Sequence, residues 1–107
     1  MRIRLLTFVM SLLLCACGPV IGDRCTVNTE CGEGVCLQGD VAPGGLCSRV
    51  CIEGGPACPA GSVCIPRAVA RDTAGCLLSC KKDTECRPGY TCRTQNGSLV
   101  CLGPGEL

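Results

Sequence analysis

Residues 80–101 read CKKDTECRPGYTCRTQNGSLVC, which places cysteines at positions 80, 86, 92 and 101. A four-cysteine pattern with nearly the same spacing occurs twice upstream, at residues 25–47 and 51–76, and three residues separate neighbouring units. The periods of 26 and 29 residues lie in the range typical of repeat arrays. The sequence therefore predicts three tandem cysteine-rich units, 25–47, 51–76 and 80–101.

The residues between the cysteines agree with this division. Thr29-Glu30-Cys31 in the first unit returns as Thr84-Glu85-Cys86 in the third. Asn28 and Asp83 precede these triplets, and we expect each to form an Asx turn with an amide two residues on. Short turn sequences such as Pro88-Gly89 favour small β-hairpins with cross-linked ends. The longest loops, which we expect to differ in use, are 37–46, 65–75 and 93–100.

Disulfides are expected to hold this fold together. The chain has 107 residues and 14 cysteines, far above ordinary usage, and Tyr90 is the only aromatic residue after the leader. Scattered aliphatic side chains predict a poor hydrophobic core. We therefore expect a small disulfide-rich protein with short hairpins, loops and little regular secondary structure. The three-residue links predict units packed end to end as a short rod.

Twelve cysteines remain after Cys15 and Cys17, an even number that allows full pairing. Four cysteines permit three pairings in each unit, and spacing does not choose among them. We favour joining the first cysteine to the third and the second to the fourth, because the overlapping loops constrain the unit more. The favoured bonds are Cys25-Cys36, Cys31-Cys47, Cys51-Cys64, Cys58-Cys76, Cys80-Cys92 and Cys86-Cys101.

The N-terminus has the features of an export signal. Arg2 and Arg4 precede a ten-residue apolar run, Leu5–Leu14, which is shorter than the roughly 20 residues that span a bilayer. Residues 14–17, Leu-Cys-Ala-Cys, then resemble the lipobox of bacterial lipoprotein precursors. The resemblance implies a signal peptide at 1–16, a lipid on Cys17 and a tether at 17–24. Ordinary secretion without a lipid is the alternative.

The resemblance also implies a location. Gly18 follows the modified cysteine, where an Asp would favour retention in the inner membrane of enteric bacteria, so we expect the outer membrane of a diderm bacterium. Fatty acyl chains such as palmitate would hold the protein there, since several chains bind almost permanently. Residues 102–107 form a short tail.

A second resemblance covers residues 25–101. The run Cys-x3-Cys-x5-Cys-x5-Cys, with a glycine in the last gap, resembles tandem cysteine-rich modules of exported myxobacterial lipoproteins. It is also similar to the cysteine-rich region of Dickkopf proteins and, loosely, to EGF modules, although the Cys-x-Cys of EGF modules is missing. The resemblance implies a spacer or binding surface and no shared activity.

Several kinds of chemistry lack their usual residues. The chain has no His and no Cys-x2-Cys, so we expect neither a zinc site nor a catalytic base of the commonest kind, and neither a metal, a cofactor nor an enzyme activity. A weak calcium alternative rests on Asn28-Thr29-Glu30 and Asp83-Thr84-Glu85. Residues 17–107 carry eight basic and nine acidic side chains, which gives no electrostatic reason to bind nucleic acid. Lys81 and Lys82, with Arg87 and Arg93, make unit three mildly basic. We expect these side chains on a solvated face, and contact with an acidic polysaccharide or a lipid headgroup is the alternative.

These observations predict a membrane-anchored lipoprotein that acts as a structural or ligand-binding module. Its partners would be the membrane, through Cys17, and a protein or polysaccharide. The alternative is a disulfide-rigid inhibitor of a protease or another secreted protein. Its reactive segment would be Ile65–Gly75, which contains Arg67 and Arg71.

Overall fold

The computed structural model describes residues 18–55 and 58–107, and its regular structure consists mainly of short antiparallel strands. They form three separate sheets, ordered β1–β2, β3–β5–β4 and β6–β7, one for each cysteine unit. The described residues contain no α-helix, so the predicted small disulfide-rich fold is confirmed. The strands are β1 (Val35–Leu37), β2 (Leu46–Ser48), β3 (Val50–Cys51), β4 (Ser62–Ala70), β5 (Thr73–Leu78), β6 (Thr91–Gln95) and β7 (Ser98–Leu102), with 3₁₀ turns at Asn28–Cys31 and Asp83–Glu85.

Each unit is a hairpin fastened to the loop that precedes it. The third and fourth cysteines of a unit lie directly opposite each other on antiparallel strands, as Cys36 and Cys47 do. Their side chains share one face of the hairpin. Each is bonded to the preceding loop, which carries the first two cysteines. The bonds join Cys25 to Cys36, Cys31 to Cys47, Cys51 to Cys64, Cys58 to Cys76, Cys80 to Cys92 and Cys86 to Cys101.

The last gap of units two and three differs from the expectation of a long loop. In unit one, a true loop connects Leu37 to Leu46. In units two and three the gap consists mostly of strand, because a two-residue turn closes each hairpin. Asn96 and Gly97 form the turn in unit three, with φ values of 52° and 81°. An Asn-Gly pair in this conformation is the preferred connection of a tight hairpin.

A shared core of eleven buried residues is drawn from all three units. Ile65, Leu77, Val100 and Leu102 are each exposed by 1% or less. The aliphatic side chains that were expected to be too scattered for more than a poor core therefore form a shared one, because residues isolated in the sequence alternate along strands and converge on one side. The members are Leu37, Ala42, Leu46, Ile65, Ala68, Leu77, Cys80, Tyr90, Val100, Cys101 and Leu102.

Units one and three contact each other, although unit two lies between them in the sequence. The amide of Gly103 donates to the carbonyl of Val41 at 2.8 Å, and that of Gly105 donates to the carbonyl of Asp40 at 3.2 Å. Residues of the predicted tail thus pair with the loop of unit one. The predicted end-to-end rod is wrong, because short links still let the chain reverse and the apolar sides of the hairpins pack together.

The segment before Cys25 is also attached to the body. The amide of Gly22 donates to the carbonyl of Cys47 at 2.8 Å, and the amide of Cys47 donates to the carbonyl of Asp23 at the same distance. Gly22 and Asp23, which belong to the predicted tether 17–24, are therefore hydrogen-bonded to the body. The signal peptide and Cys17 lie outside the described residues. Within residues 18–55 and 58–107, no helix has the length and apolar character needed to cross a bilayer.

Candidate functional site

A large cleft lies between the hairpin of unit one and the β4–β5 hairpin of unit two. It has a volume of about 570 Å³, which falls within the 300–1,000 Å³ typical of ligand pockets. Val35, Leu37 and Val41 line one side, Arg67–Arg71 line the other, and Glu106 and Leu107 also contribute to the lining. We call this feature the interunit groove. We call the side formed by Arg67–Arg71 the basic wall, and it faces an apolar lining.

An irregularity in β4 creates the basic wall. Ile65 pairs with Gly75 and Ala70 pairs with Thr73, so four residues of β4 oppose Ala74 alone. This bulge turns Ala68 into the core, where it is 4% exposed, and leaves Arg67 exposed. Bulges re-aim side chains in this way and are frequent beside binding sites.

Arg67 has an unusual backbone conformation. Its φ is 67°, in the left-handed region that residues other than glycine seldom adopt. Arg71 is exposed in the turn at the tip of the same hairpin. Both predicted residues thus lie on the basic wall, held there by the bulge and by the turn. Among the described residues, the one ion pair joins Arg93 to Glu106 at 3.3 Å. Neither Arg67 nor Arg71 therefore forms an ion pair with a described carboxylate.

A buried hydrogen bond fixes the two hairpins that border the groove. The hydroxyl of Ser48 on β2 donates to the carbonyl of Cys76 on β5 at 2.8 Å, and Ser48 is 1% exposed. The amide of Cys76 in turn donates to the carbonyl of Arg49 at 2.9 Å. A satisfied buried polar contact of this kind holds neighbouring elements in one arrangement. The groove walls are therefore preorganised.

Asn28 and Asp83 make the same contact in units one and three. The Oδ1 atom of Asn28 accepts a hydrogen bond from the amide of Cys36 at 2.9 Å, and that of Asp83 accepts from the amide of Cys92 at 2.8 Å. The expected Asx turns are therefore wrong, because the donor is the third cysteine of the unit. The contact fastens the loop of the first two cysteines to its hairpin.

Glu30 and Glu85 stabilise the same loops. The Oε1 atom of Glu30 accepts from the hydroxyl of Thr26 at 2.5 Å and from its amide at 2.7 Å. The Oε1 atom of Glu85 accepts from the amide of Lys81 at 2.6 Å. The Thr26 hydroxyl contributes most to lowering the pKa of Glu30, and the Lys81 amide contributes most to lowering the pKa of Glu85. We call the two side-chain contacts of a unit its loop latch. In unit one Asn28 and Glu30 provide the acceptors, and in unit three Asp83 and Glu85 do.

Three groups of sulfur atoms have the spacing of a metal site. In each unit three Sγ atoms lie within 4.8 Å of one another, those of Cys25, Cys31 and Cys47 in unit one. Every one of these atoms is in a disulfide and has no thiolate to offer a metal. The close approach instead reflects two disulfides packed side by side.

Arg87 and Arg93 do not form the expected solvated face. Arg87 donates to the carbonyls of Gly22 and Pro43, both at 2.8 Å. Arg93 donates to the carbonyl of Gly105 at 2.7 Å. The sequence offered one signal for Arg87, since Arg87-Pro88-Gly89-Tyr90 forms a turn that brings a cation beside Tyr90, the single aromatic residue after residue 17.

No protein-family model, no curated protein and no solved structure matches this chain. The interunit groove is therefore assessed from its own geometry.

Proposed function

We propose that this chain is an exported lipoprotein, anchored through an acylated Cys17, whose rigid body binds a partner in the interunit groove. The observation that carries the proposal is the complete pairing of the twelve cysteines from Cys25 to Cys101 in six disulfides. Such a framework persists in an oxidising compartment outside the cytosol. The apolar leader and the lipobox-like residues support the same location.

The attachment of Gly22 to the body limits the distance from the anchor. Five residues lead from Cys17 to Gly22, and an extended chain spans at most about 3.5 Å per residue. The body would therefore sit within about 20 Å of the lipid headgroups. An anchored module of this kind acts on partners at the membrane surface, and its role is contact rather than catalysis.

The charge of the groove favours an acidic partner. Arg67 and Arg71 present two cations beside an apolar lining of Val35, Leu37 and Val41. The acidic side chain of the lining, Glu106, is already paired with Arg93. A carboxylate that pairs with an arginine guanidinium gains two parallel hydrogen bonds when the geometry is bidentate. An extended protein segment with acidic and apolar side chains fits both properties. A polysaccharide with carboxylates offers the charge without the apolar groups.

The groove is tested with two fluorescent probes, a peptide of alternating Glu and Leu and an oligogalacturonate. Peptide binding, measured by anisotropy, should weaken roughly five- to thirtyfold in Arg67→Gln/Arg71→Gln, since two partly exposed ion pairs contribute about 1–2 kcal/mol. Lys81→Gln/Lys82→Gln, with the same charge change outside the groove, is the control. Equal weakening in both variants would place the interaction elsewhere. Preferential binding of the oligogalacturonate would identify a polysaccharide partner instead.

The anchor is tested separately. Wild-type protein extracted from membranes should have an intact mass that includes the acyl chains and lacks residues 1–16. Cys17→Ala should leave the detergent phase and keep its leader or appear as soluble protein. Unchanged partitioning and unchanged mass of the mature form would contradict lipidation and leave the groove experiment unaffected.

Inhibition of a protease is the second proposal, favoured by the exposed Arg71 at a rigid hairpin tip. A tight turn presents one side chain at low entropic cost. The left-handed conformation of Arg67 fits poorly, because it interrupts an extended, substrate-like strand. Inhibition of trypsin that disappears in Arg71→Ala and persists in Arg67→Ala would support this role over groove binding.

A further inference from the structure

Unit two lacks the loop latches of units one and three. Gly55 stands three residues before Cys58, where Asn28 and Asp83 stand in the other units. Ala57 occupies the position of Glu30 and Glu85. Glycine and alanine have no side-chain acceptor, so neither contact of the latch can form. In unit two, therefore, no latch contact supplements the disulfides.

The disulfide Cys51–Cys64 also differs from the other disulfides of the described chain in its burial. Both of its cysteines are partly exposed, whereas each of the other five disulfides has at least one buried cysteine. The residues that follow Cys51 are exposed, and the side chain of Ile52 reaches 72%. Exchange with an external thiol depends on access to a sulfur atom.

The contacts that hold the rest of unit two do not depend on this bond. Ile65, Ala68 and Leu77 keep the β4–β5 hairpin in the shared core. Cys58–Cys76 still connects the loop to β5, and Val50 still pairs with Gly75. Opening Cys51–Cys64 would therefore release a local segment while the rest of the fold stays intact. Local opening of this kind is typical of a low-stability segment within a native protein.

We propose that Cys51–Cys64 is a redox-sensitive clasp, which dithiols reduce before the other disulfides and which releases the segment Ile52–Gly55. One thiolate of the dithiol attacks a sulfur of the bond, forms a mixed disulfide and expels the other sulfur as a thiolate. The second thiol of the reagent then displaces the remaining cysteine and closes an intramolecular disulfide. Two electrons and two protons pass from the dithiol to the protein, leaving Cys51 and Cys64 as thiols.

The clasp has a structural connection to the basic wall. Ile52 and Glu53 border a second cleft of about 480 Å³, whose opposite side includes Arg67 and Arg71. Release of Ile52–Gly55 would uncover the back of the hairpin that carries these arginines. Reduction would thus change the surroundings of the basic wall without dissolving it. The clasp itself does not depend on the identity of the groove's partner.

The experiment follows limited reduction of the full-length oxidised protein by dithiothreitol. Aliquots are quenched with one alkylating reagent, fully reduced, labelled with a second reagent and mapped by mass spectrometry. Cys51 and Cys64 should acquire the first label about tenfold faster than Cys80 and Cys92, the equivalent pair of unit three, since one or two net hydrogen bonds correspond to that factor. Equal rates for all six disulfides, or earlier labelling of any other pair, would overturn the proposal.

Transplanting a latch tests the cause of the difference. Gly55→Asn/Ala57→Glu restores both latch side chains in unit two and should slow the labelling of Cys51 and Cys64 toward the rate of unit three. Ala60→Glu adds the same charge at an exposed position without a latch and should leave the rate unchanged. A transplanted latch that folds and leaves the rate unaltered would overturn the explanation, and the wild-type rates decide the order of reduction independently.

Discussion

The guanidinium of Arg87 lies 4.5 Å from the centre of the Tyr90 ring, and both side chains bond to one carbonyl, that of Pro43. The Tyr90 hydroxyl donates to this oxygen at 2.9 Å, and the Arg87 Nη2 atom donates to it at 2.8 Å. Arg87 also reaches the carbonyls of Gly22 and Gly45. One pair from unit three therefore holds the loop of unit one and the segment that leads to the predicted anchor.

Arg87→Lys should destabilise the protein despite keeping the charge. A lysine ammonium lacks the planar fork that reaches several carbonyls at once, so we expect a loss of about 2–4 kcal/mol in unfolding free energy. Denaturant unfolding under non-reducing conditions measures the difference. Arg71→Lys, on an exposed turn, is the control and should change stability by less than about 0.5 kcal/mol. Similar midpoints for the two variants would contradict a linking role for Arg87.

Tyr90 should make stability depend on alkaline pH. Burial disfavours the phenolate and raises the pKa of Tyr90, and the nearby charges of Arg87 and Arg24 only partly offset this effect. The neutral form is the one the fold prefers. Its contribution is complete below the unfolded pKa, about 10, and is lost as the pH rises through the folded value.

Spectroscopy can follow this group directly, because Tyr90 is the only tyrosine of the chain. Its ultraviolet titration should lie above that of the denatured protein. Tyr90→Phe should lose about 1 kcal/mol at neutral pH, since it forfeits one hydrogen bond, and should abolish the alkaline loss of stability. A folded-state titration equal to that of the denatured chain would contradict the expected shift.

Glu30 and Glu85 should make stability depend on acidic pH. Hydrogen bonds from Thr26 and Lys81 favour the ionised forms and lower both pKa values from 4.5. The stabilisation is present above the unfolded pKa and disappears as the pH falls through the folded values. Replacing both residues with Gln should flatten the dependence of the unfolding midpoint between about pH 5 and about pH 2. Glu33→Gln, which changes an exposed residue near Glu30, is the control and should leave the pH dependence of the unfolding midpoint unchanged.

Gly45→Ala should be far more destabilising than Gly39→Ala. Both glycines have positive φ, 80° and 96°, so both substitutions carry a backbone strain of about 1–2 kcal/mol. A Cβ at Gly45 would in addition overlap the backbone of Cys25, whereas a Cβ at Gly39 meets nothing within 4 Å. Thermal unfolding and the yield of oxidised monomer measure the difference. Equal effects would mean that the loop of unit one moves away from Cys25 without penalty.

The cysteine spacing indicated the repeat because one four-cysteine pattern recurs three times, and the number of cysteines indicated the fold class because it is typical of a disulfide scaffold. It did not indicate how the units pack. Val100 and Leu102 are separated from Leu37 by most of the chain, and no local pattern shows that they share a core. The Asn96-Gly97 pair is a local hairpin signal, although residues 93–100 were expected to form a loop. The bulge that exposes Arg67 has no such local signal, because it depends on the packing of Ala68 in the core.

Hairpins that set two cysteines opposite each other impose a problem on oxidative assembly. A hairpin that forms first brings Cys36 and Cys47 to the separation of opposed strand residues, within bonding reach of each other and not of their native partners. The same holds for Cys64 with Cys76 and Cys92 with Cys101. Premature bonds of this kind are kinetic traps, and their correction requires reshuffling. Three of the four sulfur atoms in each unit lie within 4.8 Å of one another in the native fold, which offers a short route for that exchange. Efficient maturation would therefore depend on an isomerase in the compartment where the chain folds.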